Sequence, residues 1–569
     1  MKRLPFNKKT GLFISVLVVY AAPYLFFVVG VGGFLMSAIF SSSGRYALVE
    51  PYLALSKYSA QKSTGGFSLY SSVPLVGSFH NVHVEASVFL ERSAEALQSA
   101  NRVAGHVGVL KAHIVDGKHA PLRDVSGALA AELDGFLRDI SFIDGIYLQG
   151  NKLAQKIVPS KIISVLNGDT VGIAREGASL LPRVVGVGES KTYLLLFQNS
   201  NELRPTGGFI GSLGLVRFRN GVFQGIETLD VYDADGQLRG YVAPPPPIEK
   251  YLGEAVWYLR DSNWDPDFPK SAARAAWFLD KELGEEVDGV VAINVDALER
   301  VLSIVGPVSL PGHGLVVDES SVARTLDDAI HRDFSPGSRV KVDLLTSLQS
   351  ELSRRVEESD PQELARLSML GLELLKDKHI QLFSLDPAVQ SAILARGWGG
   401  SLLPEAPCAR CEHTWLSVNE ANLGVNKVND FISRRVEHQM VVSEDGVAHT
   451  VSLTLRNNGT QDPYDAYVRL LTTPDAVFDE EGLELSPKQD RAEAGVFVSI
   501  PPGGVRGVAF SYTTPRNDTG AKSLYYAYVP QSGLAPFPVN VSIARELTQQ
   551  AVLGYTTGSS DQGVRVFNF

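Results

Sequence analysis

The stretch YLLLFQNSNELRPTGGFIGSLGLVRFRNG, residues 193–221, decides the fold at the centre of the chain. Its first part is a short apolar run that ends in amide side chains, which is typical of a buried strand leading into a loop. Its last two residues, Asn220 and Gly221, lie between that stretch and VFQGIETLDVY, residues 222–232. An Asn-Gly pair between two such apolar runs predicts a β-hairpin with a two-residue turn.

Strands and helices alternate on the C-terminal side of this hairpin. SAARAAWFLDKELG, residues 271–284, has the spacing of an amphipathic helix that ends at Gly284. VDGVVAINVDALERVLSIVGPVSLP, residues 287–311, has the pattern of a strand, a helix and a second strand. This alternation with short connections predicts an α/β domain, here assigned to residues 188–433.

The other parts of the chain indicate further domains, as expected for 569 residues at roughly 100–200 residues per domain. Residues 85–187 have helical spacing, and residues 41–84 are predicted to be a tether of mixed character. Period-two alternation with Gly and Pro turns, including Asp445-Gly446, predicts an all-β sandwich over residues 434–548. Residues 549–569 are predicted to be a loosely ordered tail.

The N-terminus has the pattern of a membrane anchor. Residues 1–10 contain lysine and arginine but no acidic residue, and residues 11–44 contain no charge. The apolar run at residues 11–40 exceeds the roughly 20 residues that cross a bilayer, and it lacks an A-x-A-like cleavage site. The basic flank predicts a cytoplasmic N-terminus, a single crossing of the cytoplasmic membrane and an extracytoplasmic location for the rest of the chain.

Charge and cysteine content exclude some classes of function. The net charge of -11 argues against a nucleic-acid partner, since phosphate binding needs a basic face. The two cysteines, Cys408 and Cys411, form a single CARC motif, so the chain has no disulfide framework. The spacing is compatible with a disulfide, with free thiols, or with half of a zinc site that His413 would extend.

Arg204 is the first candidate ligand-binding residue, in the segment NELRPTGGF. Gly207 and Gly208 allow the backbone to approach a ligand closely, and their N–H groups are candidates to face an anion. An arginine beside them is suited to hold a phosphate or carboxylate in a fork.

Acidic residues are concentrated in two further segments. Asp230, Asp233 and Asp235 lie in LDVYDADG, at the end of a predicted strand. LRDSNWDPDF contains Arg260, Asp261, Asn263, Asp265 and Asp267. Magnesium binds through one or two carboxylates together with water and phosphate oxygens, so these loops are suited to phosphoryl chemistry. The alternative is a surface loop in which the Asp and Asn side chains cap turns. No Walker, G-x-S-x-G or H-E-x-x-H motif is present.

Four segments together resemble the bacterial domain of unknown function 4012 family, over roughly residues 190–545. They are YLLLFQNSNELRPTGGFIG, LDVYDADG, LRDSNWDPDFPKSA and VDGVVAINVDALERVLSIVGPV, and HIQLFSLDPAVQSAILARGW and NLGVNK extend the likeness. The resemblance implies a membrane-anchored protein and leaves its activity open.

The same blocks are more distantly similar to the LytR–CpsA–Psr family. Those proteins transfer polyprenyl-pyrophosphate-linked glycopolymers to the cell wall with Mg²⁺, arginines and aspartates around the pyrophosphate. The resemblance implies a LytR–CpsA–Psr-like sandwich for the α/β domain, Arg204 and Arg339 as phosphate ligands, and Asp230 or Asp233 as the metal-binding carboxylate. The chain departs from that pattern where Asn199 and Asn201 replace an Asp, and where Val231 or Tyr232 replaces an Arg.

Two functional hypotheses follow. In the first, an enzyme acts on a lipid-linked (pyro)phosphate glycan, with arginines neutralising phosphate and aspartates holding Mg²⁺ or activating an acceptor hydroxyl. The residues are Arg204, Arg260 and Arg339, and Asp230, Asp233 and Asp261. In the second, a non-catalytic envelope protein binds a glycan or lipid head group, or serves in adhesion, on the same fold. Convergence of these residues in an apolar-walled groove would favour the first, and a flat arrangement the second.

Overall fold

The computed structural model describes most of the chain, with helices and strands numbered here in chain order. The described residues are 8–42, 46–71, 77–148, 168–325, 340–359, 361–402, 412–479, 482–486, 488–516, 523–545, 549–556 and 564–568. Contacts divide the chain into two units, residues 1–190 with 218–223 and residues 191–217 with 224–569.

The first unit is helical. Its helices are α1 (Lys8–Ser42), α2 (Tyr46–Ser71), α3 (Gly77–Ile114), α4 (Leu122–Leu148) and α5 (Gly168–Val184). Side chains from α3, α4 and α5 form its main core, including Phe89, Leu133, Phe136, Val171 and Ala178. The predicted helical region is therefore confirmed.

Helix α1 contains a segment, Val18–Ser37, whose length and mean hydropathy of 2.0 suit a membrane span. Large apolar side chains on it, including Val19, Leu25 and Val28, are exposed, as lipid contact would require. The predicted N-terminal apolar helix is therefore confirmed, with a length and composition that suit a membrane span.

The segment predicted to be a tether, residues 41–84, is different in the structure, because α2 and the start of α3 occupy it. The Ser63 hydroxyl donates to the carbonyl oxygen of Pro23 over 2.9 Å. A Cβ atom added at Gly66 would lie 2.3 Å from Cγ of Pro23. Small side chains here let α2 approach α1 closely, and weak periodicity along α2 could not reveal that contact.

The second unit begins with a five-stranded sheet. Its strands are β1 (Ser190–Asn199), β2 (Phe209–Arg219), β3 (Val222–Asp230), β4 (Gly289–Asn294) and β7 (Ile380–Ser384). Their order is β3-β2-β1-β4-β7, with β1 parallel to β4 and β7 antiparallel to it. Asn220 and Gly221 have φ of 51° and 83°, as a two-residue hairpin turn requires, so the predicted hairpin is confirmed.

Helices and short turns surround this sheet. The helices are α6 (Val231–Asp235), α7 (Phe268–Leu283), α8 (Val295–Val305), α9 (Val340–Glu358), α10 (Pro361–Lys376) and α11 (Pro387–Ala395). A π-turn covers Ile248–Leu252, 3₁₀ turns cover Leu259–Trp264, Pro311–His313 and Asn429–Phe431, and β5 (Val308–Leu310) pairs with β6 (Leu315–Val317). The core between sheet and helices includes Leu194, Ile210, Phe268, Phe278 and Val290.

A two-sheet β-sandwich follows. Its strands are β8 (Glu412–Asn422), β9 (Ile432–Val442), β10 (Val447–Asn457), β11 (Tyr464–Thr472), β12 (Val477–Phe478), β13 (Glu484–Leu485), β14 (Ala492–Ile500), β15 (Val505–Thr514), β16 (Ser523–Tyr528), β17 (Pro538–Arg545), β18 (Gln549–Thr556) and β19 (Val564–Asn568). The sheet orders are β12-β15-β10-β9-β17-β18 and β13-β14-β11-β8-β16-β19. Both sheets contribute to one core, for example Val451 and Leu453 from the first and Val468 and Leu470 from the second.

The sandwich exceeds the predicted residues 434–548 at both ends. Strand β8 begins at Glu412, in a segment that the sequence assigned to the α/β domain, and it pairs with β11 and β16. In the predicted tail, β18 and β19 pair with β17 and β16. Strands β8, β18 and β19 are stabilised by pairing with other strands of the sandwich. The polar composition of these three segments alone does not reveal the pairing.

Candidate functional site

Arg204 lies in the loop between β1 and β2 and is 2% exposed. Its Nη2 donates to Glu202 at 3.2 Å and its Nε to Asp261 at 3.4 Å. Its Nη1 donates to the backbone carbonyl oxygens of Asn422 and Leu203. Glu202 and Asp261 are also buried. The guanidinium predicted to bind phosphate is therefore enclosed by acceptors of its own chain.

Arg260 extends this charged cluster toward α6. Its Nη1 donates to Asp235 at 2.8 Å, and its Nη2 lies 2.8 Å from Glu254. Its Nε lies 3.6 Å from Asp261, which links it to Arg204. Glu202, Arg204, Asp235, Arg260 and Asp261 are together called the arginine network below. Arg204, Arg260 and Asp261 therefore do come together, and Asp261 forms an ion pair with each arginine in the protein interior.

Two tyrosines and a lysine border the network. The Arg260 guanidinium lies 4.6 Å from the Tyr258 ring centre and 5.5 Å from that of Tyr232. Tyr232 is 56% exposed. The Lys341 ammonium lies 6.0 Å from the Tyr232 ring centre and 2.9 Å from Asp230. Asp230, Tyr232, Tyr258 and Lys341 are called the tyrosine rim below.

Burial controls the protonation of the acidic groups in this region. It raises the pKa of Asp235 to about 6, against the opposing effect of Arg260. It also raises the pKa of Glu202, which Arg204 opposes. Nearby Glu282, whose Oε1 accepts from the Leu259 N–H at 3.2 Å, has its pKa raised to about 8 by burial and by the charge of Asp235. The cost of desolvation thus outweighs the ion pairing at these carboxyls.

The two glycines after Arg204, predicted to face an anion, contact the protein's own loop. The Gly207 N–H donates to the Arg204 carbonyl oxygen at 2.9 Å. A Cβ atom at Gly208, where φ is 158°, would lie 2.3 Å from the Asn199 carbonyl oxygen. The Asn263 amide donates to the Gly208 carbonyl oxygen at 2.8 Å. Glycine is needed here for the chain to pack on itself.

The predicted metal ligands are separated by the geometry of α6. Asp230 caps the helix by accepting from the Tyr232 N–H at 2.9 Å, while its other oxygen faces Lys341. Asp233 is exposed, and Asp235 instead supplies the carboxylate of the arginine network, because Val231, Ala234 and Asp235 form the buried face. In the described part of the chain, no group of three or more His, Cys, Asp or Glu side chains is arranged to hold a metal ion. Arg339, Cys408 and Cys411 lie outside the described residues.

The β-sandwich supplies groups to the network that sequence reasoning missed. Besides Asn422, Gln531 donates to the Arg204 carbonyl oxygen at 3.1 Å, and Asn429 accepts from the Leu203 N–H at 3.1 Å. Asn419 donates to the Pro205 carbonyl oxygen at 3.0 Å. Asn419, Asn422 and Asn429 lie in an amide-rich segment, and such composition alone is typical of a loop.

The arrangement combines a shielded cluster of charged side chains with an exposed aromatic ring. The charged groups nearest the sheet are paired and shielded, whereas the tyrosine rim exposes the Tyr232 ring beside the half-buried ion pair of Lys341 and Asp230. Such a surface is suited to stacking and hydrogen bonding with a polar ligand.

Comparison with known proteins finds one family model that matches part of the central domain. Residues 188–330 match the model of a family described as protein of unknown function (DUF4012), within the range over which the sequence resembles it. No curated protein and no solved structure matches the chain.

Proposed function

We propose that the chain is a membrane-anchored protein of the cell envelope that binds a glycan at the tyrosine rim without transferring it. The burial of Arg204 carries this proposal. Its donors already face Glu202, Asp261 and a backbone carbonyl oxygen. Binding pyrophosphate there would break the ion pairs that Arg204 forms with two buried carboxylates, Glu202 and Asp261, which is costly.

The tyrosine rim supports glycan recognition. A pyranose ring has an apolar C–H face that stacks on an aromatic ring, and hydroxyls that hydrogen-bond to charged side chains. Tyr232 exposes more than half of its surface, between the cations of Arg260 and Lys341. Asp230, held by Lys341, adds an acceptor at 2.9 Å from that ammonium.

A second candidate function is transfer of a lipid-linked (pyro)phosphate glycan by a LytR–CpsA–Psr-like domain with Mg²⁺. The observation that favours it is the position of Lys341 and Asp230 where β3 ends, since ligands of α/β sheets bind near strand ends. In that case Lys341 and Arg260, rather than Arg204, would face the phosphate.

Glycan binding is tested on the full-length protein in detergent, with an array of envelope polysaccharides. We expect the wild type to bind a subset of glycans. Tyr232→Ala should weaken binding about tenfold through loss of the stacking ring, and Tyr232→Phe should retain it. Phe431→Ala, which removes a similarly exposed aromatic ring, is the control. A wild type that binds no glycan, or a Tyr232→Ala variant that binds as tightly, would refute the proposal.

The proposed location requires the second unit to be extracytoplasmic, with α1 as the span and the N-terminus inside. Asp233→Cys, at an exposed position, is introduced after Cys408 and Cys411 are replaced by serine. A membrane-impermeant maleimide should label this cysteine in intact cells. Labelling only after permeabilisation would place the domain in the cytoplasm.

A further inference from the structure

Arg274, on helix α7, lies between two tryptophan rings. Its guanidinium carbon is 4.9 Å from the Trp257 ring centre and 5.3 Å from that of Trp277. Arg274 and Trp277 are three residues apart on the helix, so their side chains share one face. Arg274 is exposed, and Trp277 is 38% exposed. Trp257, Arg274 and Trp277 are called the tryptophan ladder below.

The surrounding residues hold the tryptophan ladder in place. The Trp257 indole N–H donates to the Asp261 carbonyl oxygen at 2.9 Å. Buried Phe278 contacts both indoles edge-on, at ring-centre distances of 5.5 Å from Trp257 and 5.0 Å from Trp277. A preorganised aromatic surface loses little conformational entropy when it binds a ligand.

Arg260 and Arg274 differ in one decisive respect, although each lies between two aromatic rings. Arg260 is neutralised by Asp235, Glu254 and Asp261. Arg274 forms neither an ion pair nor a hydrogen bond with any described residue, and its guanidinium lies against the two indoles. An exposed guanidinium stacked in this way keeps its N–H fork available for an anion.

We propose that the tryptophan ladder is a subsite for a saccharide that carries a carboxylate. The exposed indole of Trp277 would take the C–H face of the sugar ring, and Arg274 would bind the carboxylate with two parallel hydrogen bonds. A carboxylate also complements the positive charge of the exposed Arg274 guanidinium. This inference rests on the proposed glycan-binding function and assigns it a chemical class of ligand.

The test uses trigalacturonate and its methyl ester, which share sugar rings and differ in charge. Binding to the full-length protein in detergent is measured by calorimetry. The wild type should prefer the acid over the ester by about tenfold. Arg274→Gln should abolish this preference, and Arg274→Lys should restore it only in part, because lysine lacks the planar fork. Trp277→Ala should weaken binding of both forms.

Thermal unfolding checks that each variant remains folded. Equal binding of acid and ester by the wild type, or wild-type preference in Arg274→Gln, would overturn the subsite. If array glycans bind through Tyr232 but Trp277→Ala leaves trigalacturonate binding unchanged, the subsite is wrong and the proposed function stands. If the wild type binds neither the probe nor any array glycan, both fail.

Discussion

At the scale of one residue, Arg204 has the sequence pattern of a ligand-binding side chain but is buried in the protein interior. The sequence pattern around it, an arginine before two glycines after a buried strand, suits an anion site. In the structure the same features fold a tight loop around a buried guanidinium. The sequence could not show this, because one of its acceptors is the carbonyl oxygen of Asn422. That residue is distant in sequence, in a different domain.

Arg204→Ala should destabilise the protein strongly. Removing one partner of a buried ion pair costs about 3–5 kcal/mol, since Glu202 and Asp261 stay buried and lose the ion pairs that Arg204 provides. Asp233→Ala, at an exposed carboxylate of α6, should change the free energy of unfolding by less than about 0.5 kcal/mol. Denaturant titration of both variants checks this difference. Similar small effects in both would contradict the buried network.

Glu282 should make stability depend on pH. Its pKa is about 8 in the folded protein and 4.5 ordinarily, so the folded state binds more protons than the unfolded state between these values. The free energy of unfolding therefore falls as pH rises from about 4.5 to 8, by up to about 1.4 kcal/mol per pH unit from this group. Glu282→Gln should remove that contribution. Denaturant titrations across this range test it, and parallel slopes for both proteins would refute it.

At the scale of elements, strong periodic patterns predicted structure well. Helix α7 ends at Gly284, whose φ is 70°, as its position after the apolar pattern indicated. Helix α2 and strand β8 were missed, because neither has a strong pattern of its own. Asn419 and Asn422 look like loop residues in sequence, yet both are buried in β8, where their amides bond to neighbouring chain segments.

The packing of α1 on α2 predicts an effect of a single side chain. Gly66→Val should separate the two helices and lower the thermal midpoint, because even a Cβ atom would lie 2.3 Å from Pro23. Gly65→Val is the matched control: the neighbouring position has nothing within 4 Å of an added Cβ atom. If both variants unfold at the same temperature, the close helix contact is absent.

At the scale of the whole molecule, the sequence predicted which residues would come together in the central domain. It did not predict that they would be buried. Arg204, Arg260 and Asp261 do converge, although Arg204 lies in the loop after β1 and the other two lie in the turn Leu259–Trp264. Their burial depends on the sandwich, whose Asn422 and Gln531 complete the loop around Arg204. The local sequence around Arg204 does not indicate that the β-sandwich packs against this loop. Tyr232 of the tyrosine rim and Arg274 and Trp277 of the tryptophan ladder remain exposed.

The central claim is that this domain binds glycan and does not process a lipid-linked pyrophosphate at the arginine network. It is tested most directly by thermal unfolding of the full-length protein with a polyprenyl pyrophosphate, with and without Mg²⁺. Asp233→Ala and Lys341→Ala are measured alongside the wild type. We predict no Mg²⁺-dependent stabilisation in any of the three proteins. A Mg²⁺-dependent rise in the wild-type midpoint that Lys341→Ala abolishes would contradict the account and favour transfer chemistry.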